Sequence, residues 1–120
     1  FSVDTNSTDV GDLTLARNTQ AGQSSSTHGY TSGGNAPPGP VDTVDKFPFA
    51  SDNNAGDVGD VTVQRQQVAS QSSTVSGYTS GGGTPSNVNT IDKFPFSVDT
   101  DASDVGDLTQ ARRGPAGQQV

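Results

Sequence analysis

The chain has 120 residues, of which 28% are hydrophobic and 16% charged, with a formal net charge of −7 and a sequence pI near 4.1. That is far less apolar than an average globular domain, in which about 45–50% of residues are apolar, and the acidic balance argues against the basic patch a nucleic-acid binder needs. The absence of cysteine excludes disulfides, thiolate zinc centres and cysteine nucleophiles.

The same charge disfavours anionic membrane surfaces, and no apolar run approaches the roughly 20 residues of a spanning helix. Neither nucleic acid nor membrane insertion is expected. The pattern opens and stops in mid-repeat at Phe1 and Val120, which reads as an excerpt of something longer. Disorder would suit the low hydrophobicity, but the few apolar residues recur at fixed positions.

That recurrence organises the chain. Phe1, Phe49 and Phe96 open three units, spaced by 48 and then 47 residues. The first runs from Phe1 to Pro48, the second from Phe49 to Pro95, and a partial third from Phe96 to Val120. Each unit begins with an acidic run: Asp4, Asn6, Asp9 and Asp12; then Asp52, Asn54, Asp57 and Asp60; then Asp99, Asp101, Asp104 and Asp107. A strand is expected over Gly11–Leu15, with Val58-Gly59-Asp60 and Asn53-Asn54 read as turns. Arg17, Arg65 and Arg112 follow in one slot, and Gln23, Gln71 and Gln118 in another. A second strand is expected over Gln20–Thr27 and a third over Gly29–Ser32, where Gly29-Tyr30-Thr31-Ser32-Gly33-Gly34 matches Gly77 to Gly82. The single length change falls in Asn35–Val44 against Gly83–Ile91, a Pro-, Gly- and Asn-rich stretch suited to a surface loop. A fourth strand is expected over Val41–Phe47, before the shared Asp-Lys-Phe-Pro-Phe. No stretch holds helical spacing over three turns.

A unit of nearly 50 residues with four short strands fits a β-propeller blade. The order of Arg17, the small-residue strand Ala21–Thr27, Tyr30, Gly33-Gly34, Thr43–Phe47 and the Leu13-Thr14 strand resembles a kelch-type blade, although the outer-strand Trp usual there is replaced near Val58 or Val61. The wording of the repeat is also similar to repeats predicted in phage virion and aquatic-microbe surface proteins. The resemblance implies an all-β chain of kelch-like blades, each of four antiparallel strands; an open β-solenoid or fibre is the alternative. One unit has too few large apolar side chains to offset the entropy of ordering it, so neighbouring units must share faces. Two and a half blades do not close a ring, since propellers use about 4–8. Further repeats of the chain or copies of itself are therefore the expected partners.

The acidic runs carry two readings. Hard oxygen ligands around a glycine suit Ca²⁺, the one cofactor the sequence suggests, though the spacing is not that of an EF-hand. The same residues also suit turn capping or a salt bridge to the recurring arginine. Arg17 and Arg65 have Asp45 and Asp92, or Asp12 and Asp60, as carboxylate partners. Tyr30, Tyr78, Phe47 and Phe94 recur at repeat positions and are expected in the core with the arginines, rather than as sugar-stacking platforms. His28 is the sole histidine, and its place in the second unit is Ser76, so no Ser–His–Asp chemistry is expected. The variable loops, with Asn35, Pro37 and Pro38 in one and Gly83, Thr84 and Asn87 in the other, are the expected partner contacts. These features point to a non-enzymatic structural and binding module, extracellular or on a virion, for assembly or attachment to targets such as surface glycans. A filament subunit and an intracellular scaffold are the alternatives.

Overall fold

Short runs rich in Val, Thr, Tyr and Phe, broken by glycine and serine turns, pair with their neighbours along the chain. In a computed structural model, which describes residues 6–117, the described chain is all β and contains no helix. Strands β1 (Ala21–Ser24), β2 (His28–Ser32), β5 (Thr43–Pro48) and β6 (Gly56–Asp60) form one antiparallel sheet in the order β1-β2-β5-β6. A two-stranded hairpin, β3 (Asn35–Ala36) with β4 (Gly39–Pro40), projects from the link between β2 and β5. The plan then recurs one repeat length further along the chain. Strands β7 (Ala69–Ser72), β8 (Ser76–Ser80), β11 (Thr90–Pro95) and β12 (Ser103–Asp107) form a second sheet, and β9 (Gly83–Thr84) with β10 (Ser86–Asn87) its hairpin. Both sheets are open, and no closed barrel forms among the described residues. Phe1, Asp4 and Gln118, all named above, lie outside the described residues.

The register explains the Gly-Tyr pair. Gly29 lies opposite Phe47, and Gly77 opposite Phe94. A Cβ on Gly77 would sit 2.4 Å from the Phe94 ring. The aromatic ring therefore lies flat over the bare glycine of the neighbouring strand, which sets the depth at which it enters the core.

Two expected strands shift. The serine-rich run Gln20–Thr27 stops being strand at Ser24. The Ser25 hydroxyl accepts hydrogen bonds from the Thr27 and His28 amides at 3.2 and 3.0 Å, and Ser73 does the same for Val75 and Ser76. Serine competes with the ladder for backbone donors, so the run becomes strand, turn, strand. The outer strand expected over Gly11–Leu15 lies earlier in the repeat: its equivalents are Gly56–Asp60 and Ser103–Asp107, and residues 11–15 form no strand. Val58-Gly59-Asp60, read as a turn, lies within β6. The reason is a bulge: the β5–β6 register slips between Val44 and Asp45, and the Asp57 carboxylate accepts from the Gly59 amide at 3.1 Å. A carboxylate closing on its own backbone two residues on has the sequence signature of a turn even where it bends a strand.

One slot in the link between sheets takes a left-handed backbone. Thr19 and Gln67 have φ of 55° and 54°, and Gly114 fills the same slot at 61°. Gln67 is exposed, its amide donates to the Thr19 carbonyl at 3.0 Å and its carbonyl accepts from Gly114. Because a left-handed non-glycine residue costs about 1–2 kcal/mol, partly offset by the freedom glycine loses on folding, Gln67→Gly is expected to raise stability by roughly 0.5–1 kcal/mol, read from the urea midpoint.

Candidate functional site

The feature that recurs along the chain is the seam between consecutive units. It is built from a buried ion pair, a hydroxyl–amide network, an aromatic cluster and a backbone clasp.

Arg65 lies in the segment that leaves β6 and enters β7. Its backbone is bonded to the loop of the first sheet: the Gly34 amide donates to its carbonyl at 2.8 Å, and its own amide donates to Val41 at 3.2 Å. Its side chain belongs to the second. Nη2 donates to Asp92 at 2.9 Å and to the Thr79 carbonyl at 3.1 Å, with both charged side chains fully buried. The Thr62 amide and hydroxyl also donate to Asp92, at 2.8 and 2.7 Å. Arg17, Asp45 and Thr14 repeat this arrangement on the first sheet, with an ion pair of 3.0 Å and Thr14 bonds of 3.1 and 2.6 Å. Burial draws the pKa of both guanidinium groups below its ordinary value, and the neighbouring carboxylates oppose that shift. The arginine thus ties one unit's loop to the next unit's sheet. Of the two sets of acids weighed for it, Asp45 and Asp92 are the ones in contact.

The inner strands meet through polar side chains. The Gln23 amide donates to Ser32 Oγ, Thr79 Oγ1 and the Tyr78 carbonyl at 2.8, 2.9 and 3.0 Å. Ser32 and Thr79 share a hydroxyl bond of 2.6 Å, Ser70 Oγ donates to the Gly22 carbonyl at 2.6 Å, and the Ser24 amide donates to Ser72 Oγ at 3.0 Å. These residues hold β1 against β7 and β8.

Beside them lies the apolar part of the seam. Tyr30 and Val44 of the first sheet pack with Phe94, Phe96 and Ala102 of the second and with Val58 and Val61. The Tyr30 ring stacks on Phe96 at 4.9 Å and tilts against Phe94 at 5.6 Å. Burial raises the pKa of the Tyr30 hydroxyl above its usual value. Phe47, the equivalent of Phe94, is half-buried, and Phe49 is exposed. At the rim, Lys46 Nζ meets Asp99 at 2.8 Å.

The clasp uses main chain. The Ala55 amide donates to the Asp12 carbonyl and the Ala102 amide to the Asp60 carbonyl, both at 2.8 Å. In return the Asp12 amide donates to Asn54 Oδ1 at 3.0 Å, and the Asp60 amide to Asp101 Oδ1 at 3.1 Å. Gly11 and Gly59 face these loops so closely that an added Cβ would lie 2.5 Å from the Asn53 carbonyl oxygen and 2.6 Å from that of Thr100.

Comparisons with protein-family models and with curated proteins produced no match to the chain.

The acidic runs are therefore spread through the clasp. Asp9, Asp57 and Asp104 each accept from the glycine amide two residues on, at 3.1, 3.1 and 3.0 Å. Asn54 and Asp101 cap the neighbouring unit, Asp99 holds Lys46, and Asp12 and Asp60 take part through their main chain. Asp9, Asp12, Asp52 and Asn54 line a shallow cleft at the first clasp. Asn6 and Asp107 are exposed, the latter at the end of β12. Among the described residues no three His, Cys, Asp or Glu side chains gather closely enough to hold a metal ion.

Asp60 faces Asp42, Asp57 and Asp101, and burial followed by these like charges raises its pKa. A raised carboxyl pKa means the folded chain holds that proton more tightly than the unfolded one. Its favourable contribution is complete below the ordinary carboxylate range and is lost as pH rises through the folded value. Asp60→Asn is therefore expected to stabilise the chain at pH 7, by less than about 1 kcal/mol since the group is exposed and screened. The gain should vanish near pH 3, and urea midpoints at the two pH values read the difference.

The variable loops are the β3–β4 and β9–β10 hairpins. Pro37 and Pro38 are exposed at the tip of the first, Asn87 is exposed at the base of the second opposite Gly83, and Thr84 is half-buried. Asn35 and Gly83 instead pair by backbone with Asn18 and Gln66. His28 Nδ1 contacts Thr27 Oγ1 at 2.9 Å, while Ser25 Oγ serves its own turn.

Sequence reasoning left Gln23, Lys46, Thr14 and Thr62 without a role. The available signal was recurrence: Gln23 with Gln71, Lys46 with Lys93, and Thr14 with Thr62 and Thr109 occupy equivalent positions.

Proposed function

We propose that the chain is a non-enzymatic structural and binding module of kelch-like propeller blades, carried on an extracellular or virion surface, whose work is assembly and attachment. The observation that supports this most is the seam: one set of positions joins unit to unit, as a repeat array requires. Each four-stranded sheet would be a blade, with β1 and β7 innermost and β6 and β12 outermost. The hairpins that expose Pro37, Pro38 and Asn87 lie where sequence and length differ between units, and surface glycans are the ligand class proposed for them.

Cryo-EM of the native assembly tests the reading. Closed discs with a full complement of blades are the expected result. A continuous helical rise would replace the ring by a filament of the same units. A glycan array probed with the purified chain tests attachment, and binding unchanged by substitutions at Pro37, Pro38 and Asn87 would remove the hairpins as the contact.

A further inference from the structure

The second sheet carries the same seam residues as the first, but its outer face is uncovered. Tyr30 is 3% exposed beneath Phe94 and Phe96, whereas Tyr78, its equivalent, is only half-buried. Lys46 binds Asp99, and Lys93 has no such partner among the described residues. A Cβ on Gly59 would strike the Thr100 carbonyl, yet on Gly106, with a φ of 151° against 145° for Gly59, it meets nothing within 4 Å. Arg17 and Arg65 bury their side chains against a carboxylate, and Arg112 is exposed.

The segment after β12 already follows the path that residues 61–67 take into the second sheet. The Gly82 amide donates to the Arg112 carbonyl at 2.8 Å, the Arg112 amide to Val88 at 3.2 Å and the Gly114 amide to Gln67 at 2.8 Å. The corresponding bonds one unit earlier join Gly34 to Arg65, Arg65 to Val41 and Gln67 to Thr19.

We infer that the face formed by Tyr78, Lys93, Gly106 and Arg112 is a docking site for one more sheet of the same repeat, entered in cis through the segment that carries Arg112. The occupant is defined by what these groups lack. It brings a Phe-Pro-Phe edge to Tyr78, a carboxylate to Lys93, a buried aspartate to Arg112 and a loop amide to the carbonyl of Asp107. A sheet arriving from another molecule would bring its own linking segment into space that residues 108–114 occupy, which favours the cis route. The inference rests on the stacked-unit reading of the seam.

The test lengthens the chain by one unit, appending a second copy of residues 74–120 after Val120. Both glycines sit at a positive φ that strains any other residue, so in the 120-residue chain Gly106→Ala should lower the urea midpoint by that backbone cost alone and Gly59→Ala by more, through its clash with the Thr100 carbonyl. In the lengthened chain Gly106→Ala should become as damaging as Gly59→Ala. Where Gly59→Ala fails to fold, Tyr78→Ala serves: its loss should grow on lengthening to match that of Tyr30→Ala. If Tyr78→Ala and Gly106→Ala cost no more in the lengthened chain than in the 120-residue chain while the first-seam variants are damaging, the seam stands and this docking site is overturned. If the first-seam variants are also mild, the stacked-unit reading itself falls. Sedimentation in which the 120-residue chain self-associates, and Gly106→Ala abolishes it, would overturn the cis route in favour of a second molecule.

Discussion

Replacing Asp92 with asparagine is expected to lower folding stability by about 3–5 kcal/mol, the usual cost of leaving one member of a buried pair uncompensated. Arg65 is fully buried, and its Nε and Nη1 have no partner among the described residues. Its hydrogen bonds among the described residues go to Asp92 and to the Thr79 carbonyl. With the carboxylate neutralised, the guanidinium remains in a site of low polarisability with one carbonyl for company. An asparagine at 92 can still accept from the Thr62 amide, so the loss isolates the charge. The double variant Arg65→Leu with Asp92→Asn is expected to recover most of the loss, because it removes the stranded cation. Urea unfolding of the two single variants and the double closes a thermodynamic cycle. A double variant no better than Asp92→Asn would show that the ion pair is not what the seam depends on.

Tyr30→Ala carries the second large effect, about 3–5 kcal/mol, as for other buried aromatics cut to alanine. The ring is packed between the two sheets against Phe94 and Phe96, so the cavity would open in the seam and could not collapse without moving a sheet. Tyr78→Ala should cost only about 1–2 kcal/mol, in keeping with its partial burial. The comparison is internal, with the same residue type at the same repeat position on equivalent strands, β2 and β8. The midpoints of the two variants therefore measure what the neighbouring unit contributes. Equal losses would mean that the tyrosine matters within its own sheet and not between sheets.

The repeat, its all-β character and the arginine–aspartate pairing were legible because they rest on recurrence. Arg17 and Arg65, each with an Asp-Lys-Phe-Pro-Phe segment downstream, offer few partners, and geometry selects among them. Of the aromatic positions expected in the core, Tyr30 and Phe94 lie there, while Phe47 and Tyr78 are half-buried, because burial depends on a neighbouring unit that recurrence alone does not place. The outer strand was not, because Asp57-Val58-Gly59-Asp60 carries the chemistry of a turn, and only the pairing partner on β5 reveals a bulged strand. The serine run hid its break at Ser25, since serine suits a strand and a turn equally and the hydroxyl decides by what lies within reach. The acidic runs misdirect in a third way. Their regular spacing suggests a shared ligand, whereas Asp9, Asp57 and Asp104 each hold a nearby glycine amide, Asn54 and Asp101 an amide of the neighbouring unit, and Asp99 a lysine.

Much of this seam is hydroxyl, amide and main chain: Gln23, Ser32, Thr79 and Ser70 occupy places where most proteins put leucine or valine. Exposure of apolar surface raises the heat capacity on unfolding, and exposure of polar surface lowers it. A chain that buries so much polar surface will unfold with a small heat-capacity change for its length. Its stability will then vary little with temperature, giving a broad, shallow curve that falls slowly in the cold as well as in the heat.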